Sequence, residues 1–275
     1  MRFASLLLLF LVTCGVHAAP KADLWPRWQA HDDANAERIG HEEWDRLLAQ
    51  YVKVGADGIN RVAYSRISVA DKAALAAYLQ RLQSVPISRY ARAEQRPYWI
   101  NLYNAQTMQL VVDKYPVASI RDIRLGGGLL AQFFGGPWAA KTLKVEGTQV
   151  ALDDVEHRIL RPIWRDPRIH YAVNCASIGC PNLATQAYTA ERTETLLDAG
   201  ARAYVNHPRG AKVEGGKLVV SSIYVWFMED FGGNDAGILA HLRQYAAPTK
   251  QMALAPFKSL GDNSDRYDWA LNDAR

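Results

Sequence analysis

The sequence predicts an α+β fold in a single domain, with several helices packed around a small mixed or antiparallel sheet with hairpins. Three observations predict it. Apolar residues recur at helical spacing in more segments than they alternate at strand spacing. The strand-like runs are short, and two pairs of them flank Glu146-Gly147 and Gly215-Gly216, which are hairpin turns. No repeat, low-complexity tract or linker divides the chain.

The elements follow in order. Trp25 to Ala34 reads as a polar entry segment. Glu37 to Val52 reads as an amphipathic helix, with Ile39, Trp44, Leu47, Leu48 and Tyr51 near one face. Asp57-Gly58 is a turn before a short strand through Val62 and Tyr64. Ala70 to Leu82 is a second helix. Pro97 to Tyr115 is a third, opened by Pro97, where a missing N–H costs nothing, and closed by Pro116. Gly126-Gly127-Gly128 is a flexible connection, because no strand–glycine–helix context and no Gly-Lys-Ser/Thr follows it. Thr142 to Val145 and Thr148 to Ala151 form a hairpin. Asp153 to Leu160 is a short helix ended by Pro162, with Asp153 and Glu156 spaced as a capping box. Ile169 to Val173 reads as a strand. Thr189 to Asn206 is a long helix capped by Thr189. Lys212 to Val220 is a second hairpin, Tyr224 to Phe231 an aromatic helix and Asp235 to Ala246 a further helix.

The ends and the composition narrow the class. Arg2, the apolar run Leu6 to Val12 and the small residues around Val16-His17-Ala18 predict a signal peptide over residues 1–19. The expected location is periplasmic or secreted, with lipid anchoring at Cys14 a minor alternative because Thr13 departs from that pattern. Residues 20–275 then form the domain. The apolar run is too short to span a bilayer, and no later stretch qualifies. A net charge of +4 with both signs mixed calls for neither nucleic acid nor an anionic membrane. Eight Trp and thirteen Tyr predict a well-built core with an aromatic-lined cleft. No cofactor motif is present, and the expected partner is a small-molecule or peptide substrate.

Chemistry concentrates in His170-Tyr-Ala-Val-Asn-Cys175-Ala-Ser-Ile-Gly-Cys180-Pro. Thiols and imidazoles this close leave three readings: a thiol nucleophile, a metal clamp or a disulfide. A disulfide between Cys175 and Cys180 closes so short a loop that it adds little stability. The four-residue gap between the cysteines sits at the edge of zinc spacing. If Ile169–Val173 is extended, His170 and Cys175 lie roughly 16 Å apart on opposite faces. His157 is then the better base for Cys175, with Glu156 fixing its tautomer. Free N–H groups of a helical turn after Cys175 would lower its pKa. Arg158 and Arg161 lie beside His157, and Arg161 is a candidate for an anionic substrate group. Asn101 and Asn104 share one helix face among apolar neighbours and are expected to be buried with partners, holding an imidazole or an oxyanion. Trp99 and Tyr103, on the same helix, are candidate cleft residues.

Five motifs together resemble the family named domain of unknown function 547 (DUF547): Trp99-Ile-Asn-Leu-Tyr-Asn104-Ala, Leu152-Asp-Asp-Val-Glu-His157 with Leu160-Arg161, Asp166-Pro-Arg-Ile-His170-Tyr-Ala, Asn174-Cys-Ala-Ser-Ile-Gly-Cys180-Pro and Tyr267-Asp-Trp269. The resemblance runs from about Ala34 to Asn272. It implies no settled activity. Relatives with serine at the position of Cys180 make Cys175 the more general feature, and relatives fused to thiol-redox or regulatory modules associate the domain with thiol chemistry. The expected function is a thiol-dependent hydrolase or acyltransferase acting on amide or thioester bonds, possessing a cysteine-peptidase-like core. The alternatives are a binding module with a Cys175–Cys180 disulfide and a Cys/His metal-binding protein.

Overall fold

The computed structural model of the protein describes residues 20–125, 136–261 and 265–274. The expected signal peptide, Cys14 and the Gly126-Gly127-Gly128 connection lie outside the described residues. The architecture is α+β. Helix α1 (Glu42–Tyr51) leads into the hairpin β1 (Val52–Val54) and β2 (Asn60–Val62), followed by α2 (Val69–Gln83) and the long α3 (Arg92–Lys114). A second hairpin, β3 (Leu143–Val145) and β4 (Thr148–Val150), precedes a π-helix (Asp154–Leu160) that runs on into α4 (Arg161–Trp164). The 3-10 helix Pro167–Tyr171 and α5 (Thr193–Asn206) come next. Strands β5 (Ala211–Glu214) and β6 (Lys217–Ser221), helices α6 (Ser222–Trp226), α7 (Asp235–Tyr245) and α8 (Pro248–Leu254), and β7 (Asp265–Arg266) complete the chain.

Among the described residues the strands form not one sheet but three small ones: β1–β2, β3–β4 and β5–β6–β7, with β6 and β7 parallel and the other pairs antiparallel. Both glycine hairpins form as the sequence predicts. Glu146 and Gly147 take φ of 45° and 76°, and Gly215 and Gly216 take 57° and 76°, the left-handed pair that a two-residue turn demands. The main core gathers α1, α2, α3 and the β3–β4 hairpin, and a second apolar cluster gathers α5 to α8. The two meet at the 3-10 helix, where Ile169 belongs to the first and Tyr171 to the second. Among the described residues no helix is long and apolar enough to cross a membrane.

Four local expectations change. Helix α3 begins at Arg92, five residues before Pro97, because the Asp33 carboxylate accepts from Arg92 N–H at 2.9 Å and caps the helix from 59 residues away. Asp153 makes no capping hydrogen bond, and the segment after it winds as a π-helix: Arg161 N–H reaches the Glu156 carbonyl, five residues back. Ile169–Val173 is not a strand. Pro167 and the Asp166 carboxylate, which accepts from Arg168 N–H at 2.9 Å, start a 3-10 helix, and the apolar run is buried on all sides rather than laddered. Thr189 caps a turn, with its hydroxyl accepting from Arg192 N–H at 3.3 Å, and the helix proper starts at Thr193.

Candidate active site

Two asparagines of α3 position the thiol loop. Asn104 is buried; its Oδ1 accepts from Asn174 N–H and its Nδ2 donates to the Ala172 carbonyl, both at 2.8 Å. Asn101, one turn earlier, grips Tyr188 the same way, accepting from its N–H at 3.0 Å and donating to its carbonyl at 2.7 Å. Each amide thus satisfies irregular backbone that no strand pairs, and neither bonds an imidazole. Asn174 extends the frame: its amide donates to the Pro181 carbonyl at 2.7 Å and its oxygen accepts from Ala176 N–H at 2.9 Å.

The loop turns sharply at Ala176, whose φ of 59° lies in the left-handed region that a side chain enters only at a cost. The turn folds Cys180 back so that its Sγ accepts from Cys175 N–H at 3.1 Å. The C-terminal segment straps the loop from outside: Ile178 and Gly179 N–H groups bond the carbonyls of Ala270 and Asp268, each at 2.8 Å. This strap brings the Tyr267 hydroxyl to 3.0 Å from Cys175 Sγ, and Ser177 Oγ lies 3.2 Å from the sulfur. No helical turn of free N–H groups follows Cys175, since these N–H groups go to Cys180, Asn174 and the strap. Both cysteines are free thiols; Cys175 is partly exposed and Cys180 buried. The Cys180 side chain, with the Ser177 and Tyr267 hydroxyls, lowers the Cys175 pKa against the opposing effect of burial. Burial pushes the Cys180 thiol up, and the neighbouring Cys175 pushes it further.

The second half of the site is a carboxylate–imidazole cluster. The π-helix buries Asp154, Glu156 and His157 together, and α4 adds Arg161. His157 bonds Arg161 through Nδ1 at 3.1 Å, and its Nε2 lies 3.8 Å from Asp153. Glu156 lies 3.5 Å from His170 Nδ1. The other face of His170 bonds Asp230 at 2.7 Å, and its ring stacks on Phe227 at 4.3 Å. Asp230 also receives Arg161 Nε at 2.5 Å. The 3-10 winding therefore turns His170 toward Glu156, and the expected pairing of Glu156 with His157 becomes Glu156 with His170. Burial lowers His157 to about 4. Burial opposes ionisation of Glu156, but His157, His170 and Arg161 hold it down at about 2. Burial likewise works against the charge on His170, yet hydrogen bonds to Asp230 and Glu156 raise its pKa. Asp153 keeps 37% of its side chain in solvent, and burial together with Glu156 and Asp154 raises it to about 6.

The two halves flank one phenol. Tyr103, buried in α3, is raised well above its usual pKa by burial and then by Glu156, Cys175, Cys180 and Asp153. The hydrogen-bond partners of the Cys175 thiol are nonetheless hydroxyls and not an imidazole. Trp99 is a core residue, packed between Trp28 and Tyr98 with ring centroids 5.1 and 5.0 Å away. Arg161 is spent on Asp230 and the Pro20 carbonyl. The aromatic wall beside the thiol is a different set, missed in the sequence: Tyr267 packs on Trp226 and Trp269 at 4.9 and 4.7 Å, and Trp138 meets Trp269 at 5.8 Å, all partly exposed. Asp230 was also missed. Its only signal was an acidic pair, Glu229-Asp230, between Phe227 and Phe231. Among the described residues no group of three or more His, Cys, Asp or Glu is arranged to hold a metal ion. A separate cavity of about 490 Å³ opens beside Arg168, Arg202 and His241. Its Arg168 is already paired with Asp166, Glu194 and Asp198, and it holds no thiol.

These pKa directions set a pH dependence. His41, His157 and His241 are each lowered by burial to about 4, against roughly 6.5 in an unfolded chain. Between those values the unfolded state binds more protons, so stability falls as pH falls from about 6.5 to about 4. His207, also lowered by burial, adds to the three, while Asp153, raised to about 6, and Glu94, raised by burial, work in the opposite direction, so the histidines outnumber the acids by four to two. The thermal midpoint is expected to drop steadily across this range. A flat or rising midpoint toward pH 4 contradicts the burial of neutral imidazoles.

Residues 87–205 match a family described as "Protein of unknown function, DUF547". The match holds α3, the π-helix, the 3-10 helix and the thiol loop, but stops short of Asp230, Tyr267 and Trp269. No curated protein and no solved structure matches the chain.

Proposed function

Residues 87–205 belong to the DUF547 family, and from that premise we propose that the protein is a thiol-dependent hydrolase or acyltransferase acting on amide or thioester bonds, with Cys175 as the nucleophile. The carrying observation is the sulfur of the partly exposed residue Cys175, in hydrogen-bond contact with the Tyr267 and Ser177 hydroxyls at 3.0 and 3.2 Å beside a partly exposed aromatic wall. Hydroxyl donors stabilise a thiolate, so attack does not require an imidazole at the sulfur. The thiolate attacks the carbonyl carbon, and a thioester to Cys175 forms as the leaving group departs. Water or an acyl acceptor then breaks that thioester. Once the sulfur is acylated its charge is gone, and the Tyr267 hydroxyl is free to donate to the carbonyl oxygen.

The proton for the leaving group is assigned to Asp153, whose carboxyl, raised to about 6, keeps roughly a tenth of its population protonated at neutral pH. Burial, then Glu156 and Asp154, hold its pKa up, and His157 is the neutral imidazole between Asp153 and Arg161. This recasts the base expected of His157 as a relay from the acid side.

The test combines iodoacetamide alkylation across a pH series with turnover of a panel of acyl amides and acyl thioesters. Alkylation of Cys175 is expected at a midpoint below the roughly 8.5 of a free thiol, with hydrolysis of at least one ester class. A thiol that titrates at or above that value, and no turnover, sinks the proposal. Tyr267→Phe provides a narrower check. It removes one donor from the sulfur, so the alkylation midpoint is expected to rise by roughly one pH unit, the scale of one charge-assisted hydrogen bond of about 1.5 kcal/mol. The thermal midpoint should change little. An unchanged midpoint would show that the phenol does not hold the thiolate.

A further inference from the structure

We propose that Cys175 and Cys180 form a peroxide-driven, reversible disulfide that caps the nucleophile. The bond stands on the geometry of the loop. Only its consequence for turnover rests on the reading of Cys175 given above.

The left-handed turn at Ala176 and the frame of Asn174 fold a six-residue loop back until Cys180 Sγ takes the Cys175 N–H at 3.1 Å. The second sulfur therefore lies against the backbone of the first cysteine. It also makes a weak contact to the Val173 carbonyl at 3.8 Å. The two thiols also differ in kind. Cys175 is partly exposed and contacts two hydroxyls; Cys180 is buried. Such an asymmetric pair is what stepwise oxidation requires: one sulfur to meet the oxidant, one to resolve it.

The steps balance. The Cys175 thiolate attacks hydrogen peroxide and the O–O bond breaks. Sulfur is oxidised to the sulfenic acid, and hydroxide leaves. The Cys180 sulfur then attacks the Cys175 sulfur and the S–O bond breaks. The departing hydroxide takes the Cys180 proton and leaves as water. Two thiols and one peroxide give one disulfide and two waters. The order is built in: burial and then the Cys175 thiolate keep Cys180 protonated, and the first step removes that thiolate. Because the loop is short, the bond adds little to the stability of the fold, so it is a poor staple.

The experiment uses the full chain carrying Cys14→Ser, so that only this pair reports. The protein is treated with hydrogen peroxide, then with iodoacetamide, and its intact mass is read. The expected product is lighter by two hydrogens, takes no alkyl group, and recovers both alkylation sites after dithiothreitol. In Cys180→Ser the sulfenic acid on Cys175 is expected to persist and to be trapped by dimedone. Cys175→Ser is expected to leave Cys180 unoxidised at the same peroxide dose. Two alkylatable thiols after peroxide, or Cys175 carried to sulfinic acid without a disulfide, overturns the proposal. If the disulfide forms and turnover persists, the latch stands and the nucleophile reading falls.

Discussion

Replacing Cys175 by serine is expected to reduce turnover by roughly 10⁶-fold, the scale on which removing a covalent nucleophile acts. The fold should survive. Cys175 is partly exposed, and a serine hydroxyl can still bond Ser177 and Tyr267. The thermal midpoint is therefore expected to move by only a few degrees, corresponding to less than about 1 kcal/mol. The measurement is turnover of the best acyl substrate from the panel, with the midpoint recorded on the same preparation. Serine is a demanding replacement because it keeps the shape and withdraws only the low-pKa sulfur. Retention of more than a hundredth of the activity would remove Cys175 from the chemistry and return the loop to a structural role.

Replacing Asn104 by alanine is expected to cost about 2–6 kcal/mol, and to loosen the thiol as well. The substitution strands the Asn174 N–H and the Ala172 carbonyl, both now satisfied at 2.8 Å in a buried site. Each buried orphan costs about 1–3 kcal/mol. Asn101→Ala strands Tyr188 N–H and carbonyl in the same manner and should cost as much. The pair separates positioning from stability. Asn104 holds the residue next to Cys175, whereas Asn101 holds one beyond the loop. Both variants should therefore lose similar stability in urea, while only Asn104→Ala slows or disperses the alkylation of Cys175. Equal effects of the two variants on the thiol would reduce the asparagine frame to a general core network.

The match between sequence and structure follows the range of the interactions concerned. Helices α1 and α2 were legible because their buried residues, Trp44, Leu47, Leu48 and Tyr51 in one and Leu75, Tyr78, Leu79 and Leu82 in the other, recur at helical spacing. Burial with partners was likewise legible for Asn101 and Asn104, since amides on an apolar helix face have no other way to be stable. Their role was not, because the backbone they grip lies 68 to 87 residues away. The aromatic wall escaped detection for a related reason: Trp138, Trp226 and Trp269 come from separate segments and meet only when the chain is closed.

By itself the sequence determined the α+β class, both glycine hairpins, the likeness of residues 87–205 to DUF547 and the concentration of thiols at 175 and 180, because turn dihedrals, apolar period and residue chemistry are local properties. Only the tertiary structure decided how the site is wired. Asp33 set the start of α3; Asp230, 60 residues on, engaged His170; and Tyr267, 92 residues on, reached the Cys175 sulfur. A short apolar run such as Ile169–Val173 has no conformation of its own to enforce, so the proline before it and the packing around it chose a 3-10 turn over a strand. That choice swung His170 onto Glu156 and left hydroxyls, not an imidazole, on the thiol.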